Sequence, residues 1–328
     1  MSLTQRTLLI ACLTGVAIAR LSGAGPSAGN TTLAPAANAP LLGGMPVVTQ
    51  HKYRMLAKVR PFLFWISKDD VGGARISWHG DENGGFGVQL LIGSDPQRAP
   101  RQINRWGYIA EQVRGTDARV IGVMKQSNEQ TVEDAEKQIG REGSQGGYVY
   151  RAIQGASTDR DARAEVTTVR VERDLTFRDI DPLLALVSGP DAKAVDGQAR
   201  SVTLPAGTRP GFLVALRDLM KQCADAYSQP NGSCKPSSTP TPYVYYGVFY
   251  DLTMKSADLL KTATIDGQHY TNVARSSFEI RNRSNGETTR FQLTYGTAGP
   301  LTGIPVHVVY QARWWFEVQL FLDDHTNF

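Results

Sequence analysis

The chain has only 3 cysteines and 5 histidines among 328 residues, and the histidines are dispersed. None of His51, His79, His269, His307 and His325 stands four residues from another, which removes the His-Glu-x-x-His zinc helix. A Walker loop, a dinucleotide fingerprint and an EF-hand loop are missing as well. So is a Gly-x-Ser-x-Gly nucleophile elbow: the nearest stretch, Gly143-Ser144-Gln145-Gly146, lacks the first spacing. No block of one charge sign occurs. The balance of 35 basic against 31 acidic residues gives +4, spread too evenly to leave an electrostatic footprint for nucleic acid or an anionic membrane. Beyond the N-terminus, every apolar stretch is broken by Arg, Lys, Gln or Asp and falls short of a spanning helix. These absences imply no cofactor, no metal and no transmembrane helix in the mature chain.

What is present begins with an export segment. Arg6 precedes the uncharged run Thr7 to Ala19, which suits a signal-peptide core and is shorter than the roughly 20 residues of a membrane span. Small residues offer cleavage after Ala17-Ile18-Ala19 or after Ser22-Gly23-Ala24; the second, followed by Gly25-Pro26, is the expected one, making residues 1–24 a signal peptide. An uncleaved anchor is the alternative. Leu9-Ile10-Ala11-Cys12 resembles the lipobox of bacterial lipoproteins, whose Cys is lipidated. Here the apolar run continues past Cys12, which departs from that pattern, so lipid anchoring is the lesser expectation. Residues 25–44, uncharged and rich in Ala, Pro, Gly, Asn and Thr, lack the apolar surface to offset ordering entropy and read as a disordered tether. The expected location is secreted, periplasmic or cell-envelope.

Cys223 and Cys234 remain after the leader is removed. An even pair in an oxidising compartment predicts a disulfide, contributing about 2–3 kcal/mol in the chain-entropy model. Two thiols without a further ligand are too few for zinc. Asn30, Asn231 and Asn282 each open an N-glycosylation triplet, meaningful only in a eukaryotic secretory pathway. The Ala/Gly/Arg-rich composition leans bacterial.

Period-two alternation dominates the C-terminal part. From Val306 to Leu322 every even position is apolar, which puts one face on a core. A single strand of that length would reach about 56 Å, so a bend or bulge near Ala312-Arg313 and two consecutive strands are expected. On this alternation Trp314 and Trp315 point to opposite faces. Phe278–Arg281 and Phe291–Tyr295 flank Asn285-Gly286, a type I′ hairpin signal. Tyr243 to Met254 reads as one strand, with Val244, Tyr246, Val248, Tyr250, Leu252 and Met254 on one face and Tyr245 and Phe249 on the other. An antiparallel sheet over 243–322 follows.

Upstream, Tyr53, Met55, Ala57, Val59, Pro61, Leu63 and Trp65 share one parity, broken at Pro61, which cannot donate to a ladder. Ala74-Ile76-Trp78 and Phe86-Val88-Leu90-Ile92 flank a turn at Gly80–Gly85 and make a second hairpin. Val120–Met124, Tyr148–Ile153 and Val166–Val171 are weaker strands. Helices are expected over Thr131–Ile139 (with a Ser127/Gln130 capping box), Asp179–Val187 and Pro210–Tyr227. A fourth is suggested by the spacing of Ile103, Trp106, Ala110 and Val113. The fold class is α+β to mainly β: antiparallel sheets, as a sandwich or partly closed barrel, with a few packed helices. Periodicity lapses over 188–209, so the expected division is a strand-rich half at 45–190 and a helix-plus-sheet half at 205–328.

Candidate sites are sparse. The turn His79–Asn83 gathers oxygen ligands and an imidazole, which would suit Ca²⁺ or simply stabilise a hairpin tip; the tip is the stronger reading. The connection Asp95–Tyr108 carries Asp95, Arg98, Arg101, Asn104, Arg105, Trp106 and Tyr108. Guanidinium groups beside aromatic rings can hold carboxylates, phosphates or sugars. The same residues can instead staple a long connection to the sheet, and stapling is favoured. Asp95, Arg101, Asn104, Arg105, Trp106 and Trp315 are therefore the ligand-binding candidates, with no catalytic residue. The function expected is a noncatalytic exported binding or structural module, its partner a small molecule, glycan or envelope protein. The alternatives are an extracytoplasmic hydrolase on carbohydrate or ester bonds, for which Asp95, Glu111 and Glu317 are unpaired candidate acids, and an outer-membrane β protein.

Overall fold

Most of the alternating segments pair in sequence order, each strand turning back on the one before. The computed structural model describes residues 45–60, 64–124, 148–195, 197–229, 232–236, 239–326 and 328. The leader with its lipobox-like tetrapeptide, the tether, and the helix expected over Thr131–Ile139 lie outside the described residues. The first strands are β1 (Val47–Val59), β2 (Ile66–Gly80), β3 (Phe86–Ser94), β4 (Trp106–Arg114), β5 (Asp117–Met124), β6 (Tyr148–Ser157) and β7 (Asp161–Val171). A helix, α1 (Ile180–Val187), and two short strands, β8 (Lys193–Ala194) and β9 (Arg200–Thr203), precede the longer helix α2 (Phe212–Tyr227). The remainder is β10 (Thr241–Tyr245), β11 (Val248–Ile265), β12 (Gln268–Asn282), β13 (Thr288–Gly296), β14 (Pro305–Arg313) and β15 (Phe316–Leu322).

All of these strands belong to one antiparallel sheet. It runs from β10 through β15, passes to β1, and continues through β8, with β9 beside β7. The join is the β15–β1 ladder, Tyr53↔Leu322 to Val59↔Phe316. No ladder among the described residues closes β10 onto the other end, so the sheet is an open barrel. The chain entering α2 lies across the gap: the Leu204 N–H reaches the Arg160 carbonyl at 2.5 Å, and Arg209 exchanges backbone bonds with Pro242 and Val244 at 2.8 and 3.0 Å.

The inside of this curve is filled by α2. Of the predicted stripe, Phe212, Leu216, Leu219 and Cys223 are buried with Tyr53, Leu90, Ile109, Tyr243, Phe278 and Phe291 in one core, and Tyr227 packs against it partly buried. Phe212 sits edge-on to Phe291 with ring centroids 6.0 Å apart. A disulfide joins Cys223 to Cys234 with 5.0 Å between Cα atoms, tying the end of α2 to the chain that follows it. A second core covers the outer face of β3–β7. There α1 packs Ile180, Leu183 and Val187 with Trp106, Tyr108, Ile121 and Tyr150, and Phe177 stacks on Phe328 with centroids 4.1 Å apart.

Four local expectations are corrected. Ile103–Val113 does not form a helix, because Trp106–Arg114 is β4. Both faces of that strand are buried, so its apolar residues follow no strand alternation. Tyr243–Met254 is a hairpin rather than one strand: Tyr246 and Gly247 turn the chain with φ of 52° and 62°, the pair of positive angles a type I′ turn needs. The register Tyr243↔Tyr250 then places Tyr243 and Tyr245 in the main core with Tyr250 and Leu252, while Val244 joins Phe249 in a separate cluster. At Asn285-Gly286 the hairpin is real but the turn is not type I′. Only Gly286 has positive φ, 72°, in a wider loop closed by the Asn282 N–H to the Glu287 carbonyl at 2.8 Å.

The fourth correction concerns Val306–Leu322, which forms the expected two strands through a full reversal at Trp314-Trp315. A two-residue turn alone would set even positions opposite odd ones. The irregularity between Gln311 and Arg313 restores the pairing Tyr310↔Val318 and Val308↔Leu320. This extra residue keeps the even positions of both strands on the core side. The two indoles are therefore turn residues, not opposite faces of a strand.

Candidate functional site

The Asp95–Tyr108 connection is a polar network built around two backbone landmarks. Asp95 follows β3, and its N–H donates to the Val71 carbonyl at 2.8 Å. Its carboxylate, 2% exposed, accepts from Arg98 Nε at 3.1 Å and from Arg178 Nη2 at 2.9 Å. Arg98 also meets Asp70. Burial pushes the Asp95 carboxyl up, but the hydrogen bonds from Arg178, the Gln97 N–H and Arg98 outweigh it and hold the group below its ordinary value.

The second landmark is the Leu175 carbonyl. It accepts from Asn104 Nδ2 at 2.9 Å and from Trp106 Nε1 at 2.8 Å. Asn104 also reaches Asp174 at 2.9 Å, whose other oxygen accepts from the Tyr150 hydroxyl at 2.9 Å. Trp106, 1% exposed, stacks on Tyr150 with centroids 5.8 Å apart. Arg105 donates its N–H to Ser94 Oγ at 2.9 Å. The structure thus brings Asp95, Asn104, Arg105 and Trp106 together along one connection and ties them to residues 174–178. The side chain of Arg101 lies outside the described residues. Trp315 is elsewhere, in the β14–β15 turn, where its carbonyl accepts from the Arg60 N–H at 2.8 Å.

At the His79–Asn83 turn, Asp81 Oδ1 accepts from the N–H groups of Asn83 and Gly85 at 3.0 and 2.7 Å. Its second oxygen meets Arg114 at 3.2 Å. The oxygens that might have held a cation stabilise the hairpin tip, and no metal-ligand cluster occurs among the described residues.

The most unusual group is Glu111 on β4. It is completely buried, and its two oxygens accept from the N–H groups of Leu213 at 2.9 Å and Val214 at 2.8 Å. These belong to the first turn of α2, whose free N–H groups need acceptors. The cap position is Gly211, and a Cβ there would collide with the Glu111 carboxyl. Burial pushes this carboxyl up to about 7, against the lowering effect of the N–H groups of Leu213, Val214 and Phe212 and of Arg217. A near-neutral acid is what general acid–base catalysis uses. Here, however, the helix occupies both oxygens and the space a substrate would need.

The three candidate acids are engaged separately: Asp95 with Arg98 and Arg178, Glu111 under α2, and Glu317 with Lys58 at 3.0 Å. A shallow hollow of about 20 Å³ lies at the barrel seam, lined by Val120, Ile153, Ala164, Tyr245 and Tyr246 among others. It takes Tyr245 but neither Trp315 nor Phe249. The Tyr245 hydroxyl sits against Gly122, where any Cβ would strike it.

The chain matches no family model and no curated protein. Among solved structures it is similar to a β-barrel-like protein of domain of unknown function DUF1849 from Brucella abortus. The likeness covers 84% of this chain and 96% of that one at 10% identity, with a TM-score of 0.35.

Proposed function

We propose that this chain is an exported, noncatalytic module of the bacterial envelope that works through its outer surface and seam. The observation that carries this reading is the occupied interior: α2 fills the concave face, and Glu111 is spent on its N-terminus. A container or a hydrolase would need that volume for its ligand. Export is supported by the Arg6-led apolar run Thr7–Ala19 and fits a disulfide between Cys223 and Cys234, a bond that persists in oxidising compartments. No helix among the described residues is long and apolar enough to cross a membrane.

Thiol trapping on intact cells, combined with fractionation, tests the compartment. The expected result is recovery outside the cytoplasm with both thiols unreactive until reduced. Recovery in the cytoplasm with free thiols would overturn it. Turnover of chromogenic glycosides or esters by the purified chain, lost in a Glu111→Gln variant that remains folded, would overturn the noncatalytic part.

A further inference from the structure

The strongest unassigned feature is a pair of neighbouring hairpin tips at the end of β1. Val59 pairs with Ile66 on one side and with Phe316 on the other. The β1–β2 and β14–β15 turns therefore stand two strand spacings apart, about 10 Å, and the Arg60 N–H joins them through the Trp315 carbonyl. Both tips carry large apolar side chains in solvent: Phe64 at 60%, Trp65 at 39%, Ile66 at 53% and Trp314 at 62% exposure. Scattered apolar residues on a surface need no explanation, but four on two adjoining tips do.

We propose that Phe64, Trp65, Ile66 and Trp314 insert into the headgroup region of an anionic lipid bilayer. The flanking charge favours this occupant. Arg60 and Lys68 border the tips; Lys58 and Glu317 pair with each other, and Asp69 is engaged by Arg54. Tryptophans ringed by Lys and Arg are the side chains that settle at a membrane interface, with the indole in the headgroup layer and the cations on the phosphates. The evenly mixed charge of the whole sequence hides this patch, because residues 58–60 and 64–68 become neighbours of residues 314–317 only through the β1–β15 ladder.

The inference goes beyond the module reading above. Lipid binding by purified chain is measured without reference to where the cell places it, so failure of either leaves the other standing. The chain from Gly25 onward contains the whole described fold and lacks the Thr7–Ala19 run, which would bind lipid by itself. It would be floated with phosphatidylcholine vesicles and with vesicles about one-third phosphatidylglycerol. The expected result is flotation with the anionic vesicles and a blue-shifted tryptophan emission. In the Phe64→Ser/Trp314→Ser variant binding falls roughly tenfold, with an unchanged melting temperature. Lys68→Glu and raised salt weaken binding by a smaller factor. Absence of flotation, or a double variant that floats like the parent, would overturn the proposal. So would loss of a protein complex in that variant without any vesicle binding, which would make the patch a protein interface.

Discussion

Glu111, on the inner face, and Asp95, beside the lead-in to α1, are both almost wholly removed from water, at 0% and 2% exposure. Desolvation works against the charged form of each, and the outcomes diverge. Asp95 meets two guanidinium groups and is held below its ordinary value. Glu111 meets backbone N–H groups at a helix start, and the distant Arg217 adds little, so it is pushed up to about 7. At Glu111 the N–H groups offset only part of the cost of burial, whereas at Asp95 Arg178, the Gln97 N–H and Arg98 together outweigh it. The outer connection is thus held by a permanent ion network, and the inner helix by a contact whose charge depends on pH.

The sharpest test is the pH dependence of stability. The native state binds the Glu111 proton more tightly than the unfolded chain, whose carboxyl has the ordinary value of 4.5. Stabilisation from this group is complete below about pH 4.5 and fades as pH rises through about 7. The shift corresponds to about 3 kcal/mol. His307, half-buried beside Gln319, is shifted down by desolvation and acts in the opposite sense, so parent and variant must be compared. Urea unfolding of the parent relative to Glu111→Gln should show the parent's advantage shrinking by about 3 kcal/mol across that window. A pH-independent difference would mean that Glu111 is ionised throughout and that the two regions are alike.

Asp95→Asn probes the other side of the comparison. It removes the only formal charge that Arg98 and Arg178 share and should cost about 2 kcal/mol near neutral pH. The loss should disappear at a pH low enough to protonate the parent's carboxyl. That is the reverse of the Glu111 pattern, and chemical denaturation at several pH values would read it directly. A variant as stable as the parent would reduce the network to surface decoration.

How much of this was legible depended on which faces stayed wet. Strands with one solvated face, such as β12 to β15, announced themselves by alternation, and α2 by its apolar stripe from Phe212 to Tyr227. Strands covered on both faces did not: Trp106–Val113 is buried by α2 on one side and by α1 on the other, so the period-two signal vanished and a helical spacing took its place. Turns were misread where chemistry was atypical, since Tyr246 adopts a positive φ that usually marks Asn or Gly. At the candidate site, the choice between ligand loop and staple turned on Asp174, Leu175 and Arg178, far along the chain. Glu111 was one of three candidate acids without a partner, and nothing local could show that its partners are the N–H groups of residues 213 and 214. Only the disulfide followed from counting alone.

The smallest expected effect divides the Asp95 network itself. Arg178 is nearly half exposed, while Arg98 is more enclosed and also meets Asp70. Arg178 lies in the turn that starts α1, its guanidinium 4.6 Å from the Phe177 ring centroid, and its ion pair with Asp95 is partly screened by water. Arg178→Ala should cost about 1 kcal/mol, because Arg98 still neutralises the carboxylate. If the loss instead equals that of Asp95→Asn, Arg178 alone compensates the buried charge. The outer region would then rest on a single cation, as conditional in its way as the helix start over Glu111.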